Sequence, residues 1–431
     1  MSTDEGGGML RRHSTSKYIL SAILAVLISV LVAVPVFADG TEENWPVPQA
    51  IESESALIME ATTSSILYEK DADTKRYPAS TTKIMTCLLA LENCSLDETV
   101  TFSERAIDLE EAATNIDAVE GETMSLKDCL YGLMLASGND CANAIAEHVA
   151  GSIEAFADMM NARAAEIGCT STHFQNPSGL YGSEHYTTAR DMALIAQEAY
   201  KNSMFVNIIM ASTYTMGPTN MDEDSRTFKN WNEMVNPDSD YYTPEVIGGK
   251  TGYLDEAGRC LVTFAKQDTM TIITVQFKGP YSGIFSEAGN LIHFIFTDFG
   301  MRNVSREERR FSYTSSRAGV RLDTSAQILG LNNRSIEDLD SKIVFASDIE
   351  DAPEDLYARI YYSYAGHDLG YADVYNEKAP SVKKASFIQV YYVNITYVLL
   401  FALLLAVILF VTFLLKKKKR ARKARVRREP Q

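Results

Sequence analysis

The clearest pattern of apolar and polar positions begins directly after Pro78. Apolar residues then recur every three or four positions, at Ile84, Met85, Leu88 and Leu89. This spacing forms one face of an α-helix, and proline is common in the first turn of a helix. The pattern therefore predicts a helix that begins close to residue 80.

The rest of the central region alternates between helical and extended patterns. Helical spacing predicts helices at 125–150 and 153–167, and short alternating or β-branched runs predict strands at 56–59, 65–68, 246–250, 260–265 and 270–277. The strands lie at the two ends of this region and the helices lie between them. This order predicts one antiparallel sheet that is completed by both ends of the domain.

The pattern changes after residue 302. Many short segments rich in Tyr, Val and Ile follow, without a long amphipathic helix. We interpret 39–48 as a polar linker, 49–303 as the main domain and 306–382 as a small β-rich domain.

The N-terminus has the pattern of a secretory signal. Basic residues precede an apolar run from Ile19 to Val34, and Ala38 follows at a position that suits signal peptidase. We expect residues 1–38 to be a cleaved signal peptide, and an uncleaved anchor is the alternative.

The C-terminus has the pattern of a membrane anchor. The nineteen residues from Tyr397 to Leu415 contain only Thr412 as a polar residue, and as a helix they would span ~28 Å, close to the thickness of a bilayer core. Ten basic residues and one acid follow at 416–431. We expect a transmembrane helix at 390–415 that contacts membrane lipid, a cytoplasmic tail at 416–431, and a main domain on the extracytoplasmic side of the cell membrane.

Composition and charge narrow the class of protein. The 431 residues are 46% hydrophobic and 23% charged, which is typical of a globular protein. The net charge is −17 despite the basic tail, so the region between the two targeting segments is strongly acidic. Such a charge argues against a nucleic-acid partner.

The cysteines and histidines indicate no metal centre. Six cysteines lie scattered through apolar stretches, at Cys87, Cys94, Cys129, Cys141, Cys169 and Cys260. An even number in an exported chain permits disulfides, but this distribution favours buried, reduced thiols. The sequence has no Cys-x-x-Cys segment and no histidine pair at ligand spacing, so we expect no metal and no cofactor.

Three short motifs follow one another along the main domain. They are Ser80-Thr81-Thr82-Lys83, Ser137-Gly138-Asn139 and Lys250-Thr251-Gly252. Each is weak alone, because Ser-x-x-Lys also occurs at Ser14/Lys17 and Ser381/Lys384. The second motif in isolation is more often a helix–helix turn, and the third a strand end with a turn glycine.

The chemistry of the first motif depends on helix geometry. Residues three apart lie on one face of a helix, so the Lys83 amine can reach the Ser80 hydroxyl. Serine needs a neighbour that takes its proton, and lysine can do so only when burial or another cation favours its neutral form. Lys250 could supply that second cation.

Together the motifs and their flanks resemble the active-site serine penicillin-recognising enzymes, and more narrowly the low-molecular-mass D-alanyl-D-alanine carboxypeptidases. The resemblance covers about 55–300 and rests on four segments, 77–86, 135–140, 173–180 and 250–258. It implies an α+β fold in which an antiparallel sheet is flanked by helices beside an all-helical lobe, the serine β-lactamase/transpeptidase-like domain. A small β-rich domain and a C-terminal transmembrane helix also match that family's layout.

The resemblance also implies the catalytic roles. Ser80 would form an acyl-enzyme, Lys83 would be its base, and Ser137 with Asn139 would complete the proton relay. The substrate would be the terminal D-alanine of a peptidoglycan stem pentapeptide. β-Lactams would acylate Ser80 and leave slowly.

Substrate binding would fall to the third motif. By resemblance, Lys250 and Thr251 would hold the terminal carboxylate of the substrate, and the backbone N–H groups of Ser80 and Tyr253 would form the oxyanion hole. Gly252 leaves room for the substrate to lie along the strand.

Two departures leave the substrate preference open. Leu254 stands where a threonine is common, and the segment 228–233 lacks an expected arginine. The alternatives are a serine β-lactamase, although no Glu-x-x-Leu-Asn segment lies between the second and third motifs, and an inactive wall-binding sensor. We interpret His173 and His185 as structural, because lysine already fills the role of the base.

Overall fold

The computed structural model describes residues 44–309 and 319–376. The signal peptide predicted at 1–38 and the transmembrane helix predicted at 390–415 lie outside these residues. Within the described part of the chain, no helix combines the length and apolar character that a membrane span requires.

The helices begin with a 3₁₀ helix at Ala79–Thr82 that carries the first motif. The α-helices that follow are α1 (Lys83–Asn93), α2 (Glu104–Ile107), α3 (Leu126–Leu135), α4 (Asn139–Ala150), α5 (Ile153–Ile167), α6 (Ala189–Tyr200), α7 (Ser203–Met210), α8 (Ile284–Asp298) and α9 (Val304–Glu307).

The strands are short in the helical lobe and long in the two sheets. They are β1 (Ser55–Glu60), β2 (Ile66–Lys70), β3 (Thr99–Thr101), β4 (Thr123–Ser125), β5 (Thr213–Met216), β6 (Arg226–Lys229), β7 (Val246–Leu254), β8 (Gly258–Gln267), β9 (Met270–Gly279), β10 (Phe299–Asn303), β11 (Val320–Leu322), β12 (Gln327–Leu331), β13 (Asp340–Phe345), β14 (Leu356–Tyr364) and β15 (His367–Asn376).

A five-stranded antiparallel sheet forms the centre of the main domain. Its strand order is β2-β1-β9-β8-β7, so the first strands of the domain pair with the last ones. The predicted single sheet, completed by both ends of the domain, is confirmed. The structure extends the predicted strands by one to four residues at their ends, except that β2 begins at Ile66 rather than at residue 65.

The sheet is buried on both faces, which explains its dense apolar runs. In β1, Leu57 and Met59 face a core shared with the helical lobe, whereas Ile58 faces a second core shared with α8 and the β-rich part. Alternate residues of a strand point to opposite faces, so one strand supplies both cores.

The helical pattern at 125–150 forms two helices rather than one. Helix α3 ends at Leu135 and α4 begins at Asn139, with the second motif at the break. Ser137 has φ 61°, a left-handed conformation that an α-helix cannot contain. The break therefore places a serine and an asparagine at the start of a new helix.

The β-rich part forms a second sheet with strand order β11-β15-β14-β13. It is joined to the main domain by β10, which pairs with β12 from Phe299↔Leu331 to Asn303↔Gln327. Trp45 adds a second link, since its ring stacks on His367 at 3.9 Å and its Nε1–H donates to the Leu67 carbonyl at 2.8 Å.

Candidate active site

Ser80 lies on the 3₁₀ helix at the edge of the central sheet. Strand β7 packs directly against this helix, because Gly252 has no side chain: a Cβ there would lie 3.0 Å from the Ser80 nitrogen and 3.1 Å from the Ala79 Cβ. Gly252 thus allows the third motif to approach the first. The glycine therefore has a structural role in addition to leaving room for the substrate.

Lys83 is fully buried at the start of α1 and contacts three oxygen atoms. Its Nζ lies 2.9 Å from Ser80 Oγ, 2.7 Å from Asn139 Oδ1 and 2.8 Å from the Ser178 carbonyl oxygen. The i, i+3 contact between Ser80 and Lys83 predicted from helix geometry is therefore present, and Asn139 of the second motif joins it.

These contacts accommodate either a protonated or a neutral amine. The amide oxygen of Asn139 and the carbonyl of Ser178 can only accept, so they take two N–H bonds of Lys83. A neutral amine then has its lone pair left for the third partner, the hydroxyl proton of Ser80. The geometry therefore allows Lys83 to accept the proton of the nucleophile once its amine is neutral.

Electrostatics favour the neutral form of Lys83. Burial lowers the pKa of Lys83 well below its usual value, and the positive charge of Lys250 lowers it further. Asp140 acts in the opposite direction and more weakly. A lysine of lowered pKa in a water-poor site can serve as a general base.

The second motif is held by Thr114, a residue that the sequence did not single out. The Thr114 hydroxyl donates to the Ser137 carbonyl at 2.7 Å, and the Asn139 N–H donates to the Thr114 carbonyl at 2.9 Å. Asp140 fixes the same loop, because its Oδ2 accepts from the Ile116 N–H at 2.9 Å. These contacts hold the break between α3 and α4 in one shape.

Lys250 connects the third motif to the second. This buried lysine donates from Nζ to Ser137 Oγ at 3.1 Å and to the Thr251 carbonyl at 3.0 Å. Burial lowers its pKa to about 7. Since Ser137 Oγ accepts from Lys250, the hydroxyl proton of Ser137 remains available to another acceptor.

The turn around Ser178 completes the surroundings of Lys83, although its sequence indicates no catalytic role. Asn176 Oδ1 accepts from the N–H groups of Ser178 and Gly179, at 3.2 and 2.7 Å, and so shapes the turn that presents the Ser178 carbonyl to Lys83. Gly179 has φ 86°, and a Cβ there would lie 1.9 Å from the Ala79 carbonyl oxygen. Residue spacing could not predict this contact, because a backbone carbonyl has no sequence signature.

The remaining predicted site residues lie along β7. Thr251 and Gly252 directly follow Lys250 in the strand, and Tyr253 is 44% exposed with its hydroxyl donating to Asp255 at 2.7 Å. Side-chain contacts connect Ser80, Lys83 and Asn139 in one group and Ser137 with Lys250 in another, whereas Thr251 and Tyr253 adjoin them through the backbone.

His185 is a structural residue in this arrangement. Its Nδ1 accepts the Gln175 N–H at 3.0 Å, so Nε2 carries the proton and donates to Thr82 Oγ1 at 2.9 Å. Burial lowers its pKa to about 3, which keeps the ring neutral. His173 instead places its Nδ1 2.6 Å from the Glu184 carbonyl.

The cysteines are all free thiols, and four of the six are buried. Among residues 44–309 and 319–376, the one group of Cys, His and Glu close enough to hold a metal is Cys94, Glu98 and His148. It lies at the C-terminal ends of α1 and α4, whereas Lys83 and Asn139 lie at their N-terminal ends. The catalytic cluster itself holds lysines, hydroxyls and amides, which are poor metal ligands.

Comparison with known proteins places the chain in a family. The D-alanyl-D-alanine carboxypeptidase family matches residues 41–280. A D-alanyl-D-alanine carboxypeptidase of Bacillus subtilis is 35% identical over 268 residues, which cover 61% of this chain and 66% of that protein. One from Streptomyces sp. strain K15 is 33% identical over 61% of this chain and 90% of that protein.

Solved structures agree with the sequence matches. The crystal structure of the Streptomyces K15 DD-transpeptidase superposes with a TM-score of 0.54 at 31% identity, covering 58% of this chain and 98% of that one. A D-alanyl-D-alanine carboxypeptidase from Mycobacterium tuberculosis gives a TM-score of 0.54 at 26% identity, over 58% of this chain and 93% of that one.

Proposed function

Because the chain belongs to the D-alanyl-D-alanine carboxypeptidase family and has its transpeptidase-like α+β fold, we propose that Ser80 removes the terminal D-alanine from peptidoglycan stem pentapeptides through an acyl-enzyme. The chain is thus a serine-type peptidase of cell-wall metabolism. The observation that supports the roles of individual residues is the buried Lys83 amine, which lies 2.9 Å from Ser80 Oγ and whose pKa is lowered by burial, so that in its neutral form it can take the Ser80 proton.

Acylation begins when Ser80 Oγ attacks the carbonyl carbon of the scissile D-Ala-D-Ala bond and its proton passes to Lys83 Nζ. The tetrahedral intermediate then collapses, the C–N bond breaks, and the leaving nitrogen takes a proton from the Ser137 hydroxyl. Ser137 regains a proton from Lys83, which returns that amine to its neutral form for the next step. The backbone N–H groups of Ser80 and Tyr253 stabilise the oxyanion. The product is an ester between Ser80 and the shortened peptide.

Binding of the terminal carboxylate is assigned to Lys250 and Thr251. A protonated Lys250 supplies the charge, and the hydroxyl of Thr251, the next residue of β7, supplies a hydrogen bond. After release of D-alanine, a water molecule that gives its proton to Lys83 hydrolyses the ester and restores Ser80.

The location of the enzyme is a further part of the proposal. Residues 1–38 direct export, residues 390–415 anchor the chain in the cell membrane, and the basic tail 416–431 stays in the cytoplasm. This arrangement keeps the active site next to the wall substrate. Deletion of residues 386–431 should release the protein from the membrane fraction, and its retention there would contradict the assigned anchor.

The nucleophile is tested with the full-length chain in detergent, a labelled penicillin and a stem pentapeptide. We expect Ser80→Ala to lose both the covalent label and D-alanine release by more than roughly 10⁴-fold, because no other group can form the ester. Ser152→Ala is the matched control, since Ser152 only caps the exposed start of α5. It should be labelled like the unmodified protein.

The outcomes separate the alternatives. Label retained on Ser80→Ala would overturn the mechanism. Normal labelling of the unmodified protein without D-alanine release would establish the inactive wall-binding sensor. Rapid turnover of the penicillin, with a label that disappears within seconds, would establish the serine β-lactamase.

A further inference from the structure

A cluster of three potential metal ligands lies outside the active site. Cys94 Sγ, a Glu98 carboxylate oxygen and a His148 ring nitrogen all lie within 4.8 Å of one another. Thiolate, imidazole and carboxylate are the three protein donors of zinc sites. The sequence did not reveal this set, because His148 is 50 residues beyond Glu98.

The local backbone brings two of these ligands together. Cys94 caps the C-terminus of α1 in an extended conformation, and the turn that follows closes with the Glu98 N–H donating to the Ser95 carbonyl at 3.1 Å. Glu98 Oε1 accepts from the Ser95 N–H at 2.6 Å. This bond fixes one carboxylate oxygen on the turn and leaves the other, Oε2, for a different partner.

That second oxygen faces His148. Glu98 Oε2 lies 3.0 Å from His148 Nε2, and the two side chains are 42% and 22% exposed. Two ligands of one tetrahedral zinc ion lie about 3.3–3.8 Å apart, given bonds of about 2.0–2.3 Å. The three donor atoms, which lie within 4.8 Å of one another, are therefore close to the separations that a shared zinc ion requires.

We propose that Cys94, Glu98 and His148 bind one zinc-class divalent cation, with water as the fourth ligand. On binding, the Cys94 thiol releases its proton to solvent and its sulfur becomes a thiolate ligand.

The position of the ion gives it a structural role. Helix α1 begins at Lys83 and is followed by Cys94, whereas α4 begins at Asn139 and carries His148 in its last turn. The two helices pack against each other, and Lys83 and Asn139 are hydrogen bonded at their other ends. An ion at Cys94 and His148 ties the two C-terminal ends together and so stabilises the pair of helices that sets the Lys83–Asn139 contact.

The test uses the full-length chain in detergent, stripped of metal and kept reduced with a phosphine. ZnCl₂ should bind at about one ion per chain and raise the melting temperature. CoCl₂ should give the thiolate-to-cobalt charge-transfer band that a Cys ligand produces. Neither readout depends on the proposed peptidase activity, so failure here is distinct from failure of that proposal.

The variants identify the ligands. Cys94→Ala should lose the cobalt band, and Cys94→Ala or His148→Ala should weaken zinc binding by more than the roughly 10–100-fold that changes next to a metal ligand produce. Matched controls are Cys169→Ala, which removes the other half-buried thiol, and His293→Ala, which removes an exposed histidine on α8. Both controls should bind like the unmodified chain.

Two results would overturn the proposal. One is absence of a cobalt band and of any zinc-dependent rise in melting temperature for the unmodified chain. The other is an unchanged band in Cys94→Ala. The circular dichroism spectrum of each metal-free variant should match that of the unmodified chain, so that loss of a ligand is distinguished from loss of the fold.

Discussion

Two buried lysines of the main domain and one arginine of the β-rich part carry positive charge in opposite surroundings. In the main domain, Lys83 and Lys250 are buried against neutral oxygens, and within residues 44–309 and 319–376 neither has a carboxylate at salt-bridge distance. In the β-rich part, Arg359 is paired with Asp373 through two hydrogen bonds of 2.6 and 3.1 Å.

The difference separates structural charges from functional ones. Pairing with Asp373 raises the pKa of Arg359, so that cation is permanent and its role is to link neighbouring strands β14 and β15. Burial away from any carboxylate at salt-bridge distance among the described residues lowers the pKa of each lysine instead. A cation that can lose its proton near neutral pH can carry protons, whereas a paired guanidinium cannot.

The largest expected effect comes from removing Lys83, which has no carboxylate partner in the described part of the chain, and comparing it with removal of the paired Arg359. We expect Lys83→Met to lower D-alanine release by roughly 10²–10⁴-fold, the range for a general base, while its melting temperature stays within a few degrees. Arg359→Met should instead leave the buried Asp373 without its cationic partner, lower the melting temperature, and keep activity within about twofold. The two effects are measured as the rate of D-alanine release and the melting temperature of each variant. A catalytically active Lys83→Met would remove the distinction between the two regions.

A second large effect is expected from moving one of the neutral oxygens that contact Lys83, the carbonyl of Ser178. In Gly179→Ala, the new Cβ meets the Ala79 carbonyl, so the turn must shift and the Ser178 carbonyl moves away from Lys83. We expect penicillin labelling of Ser80 to slow by about 10²-fold, the cost of a displacement of about 1 Å.

Gly151→Ala is the control for backbone strain. Gly151 has φ 81°, close to that of Gly179, but a Cβ added there would have nothing within 4 Å. The substitution should cost about 1 kcal/mol of stability and leave labelling unchanged. Equal slowing in both variants would assign the effect to strain rather than to the Ser178 carbonyl.

Sequence patterns predicted several helices and strands of the main domain and one contact of its candidate active site. The helix after Pro78, the helix at 153–167 and the antiparallel sheet are confirmed, because each depends on a local periodicity of apolar residues. The contact between Ser80 and Lys83 was also predictable, since it depends only on positions three apart in a helix.

The parts that sequence missed depend on distant or backbone contacts. Thr114 holds the second motif through its carbonyl and hydroxyl, and Ser178 contributes only a carbonyl oxygen, so neither residue type indicates its role. The oxygens of Asn139 and Ser178 that contact Lys83 are positioned by loops that come together only in the folded chain. The break in the helical pattern at 125–150 was likewise set by the left-handed Ser137.

A moderate effect is expected from pH, because Lys250 titrates and Arg359 does not. The pKa of Lys250 is about 7, so its charge, and with it carboxylate binding, is lost above that pH. We expect kcat/KM for the pentapeptide to fall by up to about tenfold per pH unit on the alkaline side. Lys250→Arg keeps its charge at all these pH values, so its activity, although lower, should lack this decline.

Stability should change in the opposite direction over the same range. The pKa of Lys250 is lower in the folded protein, about 7, than the ordinary 10.5, so between these values the unfolded chain binds more protons. The free energy of unfolding should therefore rise with pH across this window, and the penalty is fully present below pH 7. A Lys250→Met variant should show a smaller rise, because the lowered pKa of Lys83 still contributes part of it. An identical pH dependence in that variant would contradict the assignment.

The smallest effect on activity is expected from the paired cation of the β-rich part. Asp373→Asn weakens the pair with Arg359 while keeping the shape of the side chain, and the two partners are 11% and 19% exposed. We expect a loss of about 1–3 kcal/mol in the free energy of unfolding, between the values for exposed and fully buried pairs, with D-alanine release unchanged within about twofold. Glu354→Gln removes the same charge at an exposed position of the same part and should alter neither quantity. A large loss of activity in Asp373→Asn would mean that the β-rich part acts on the active site, because a charge pair that only links β14 to β15 has no route to Ser80 chemistry other than stability.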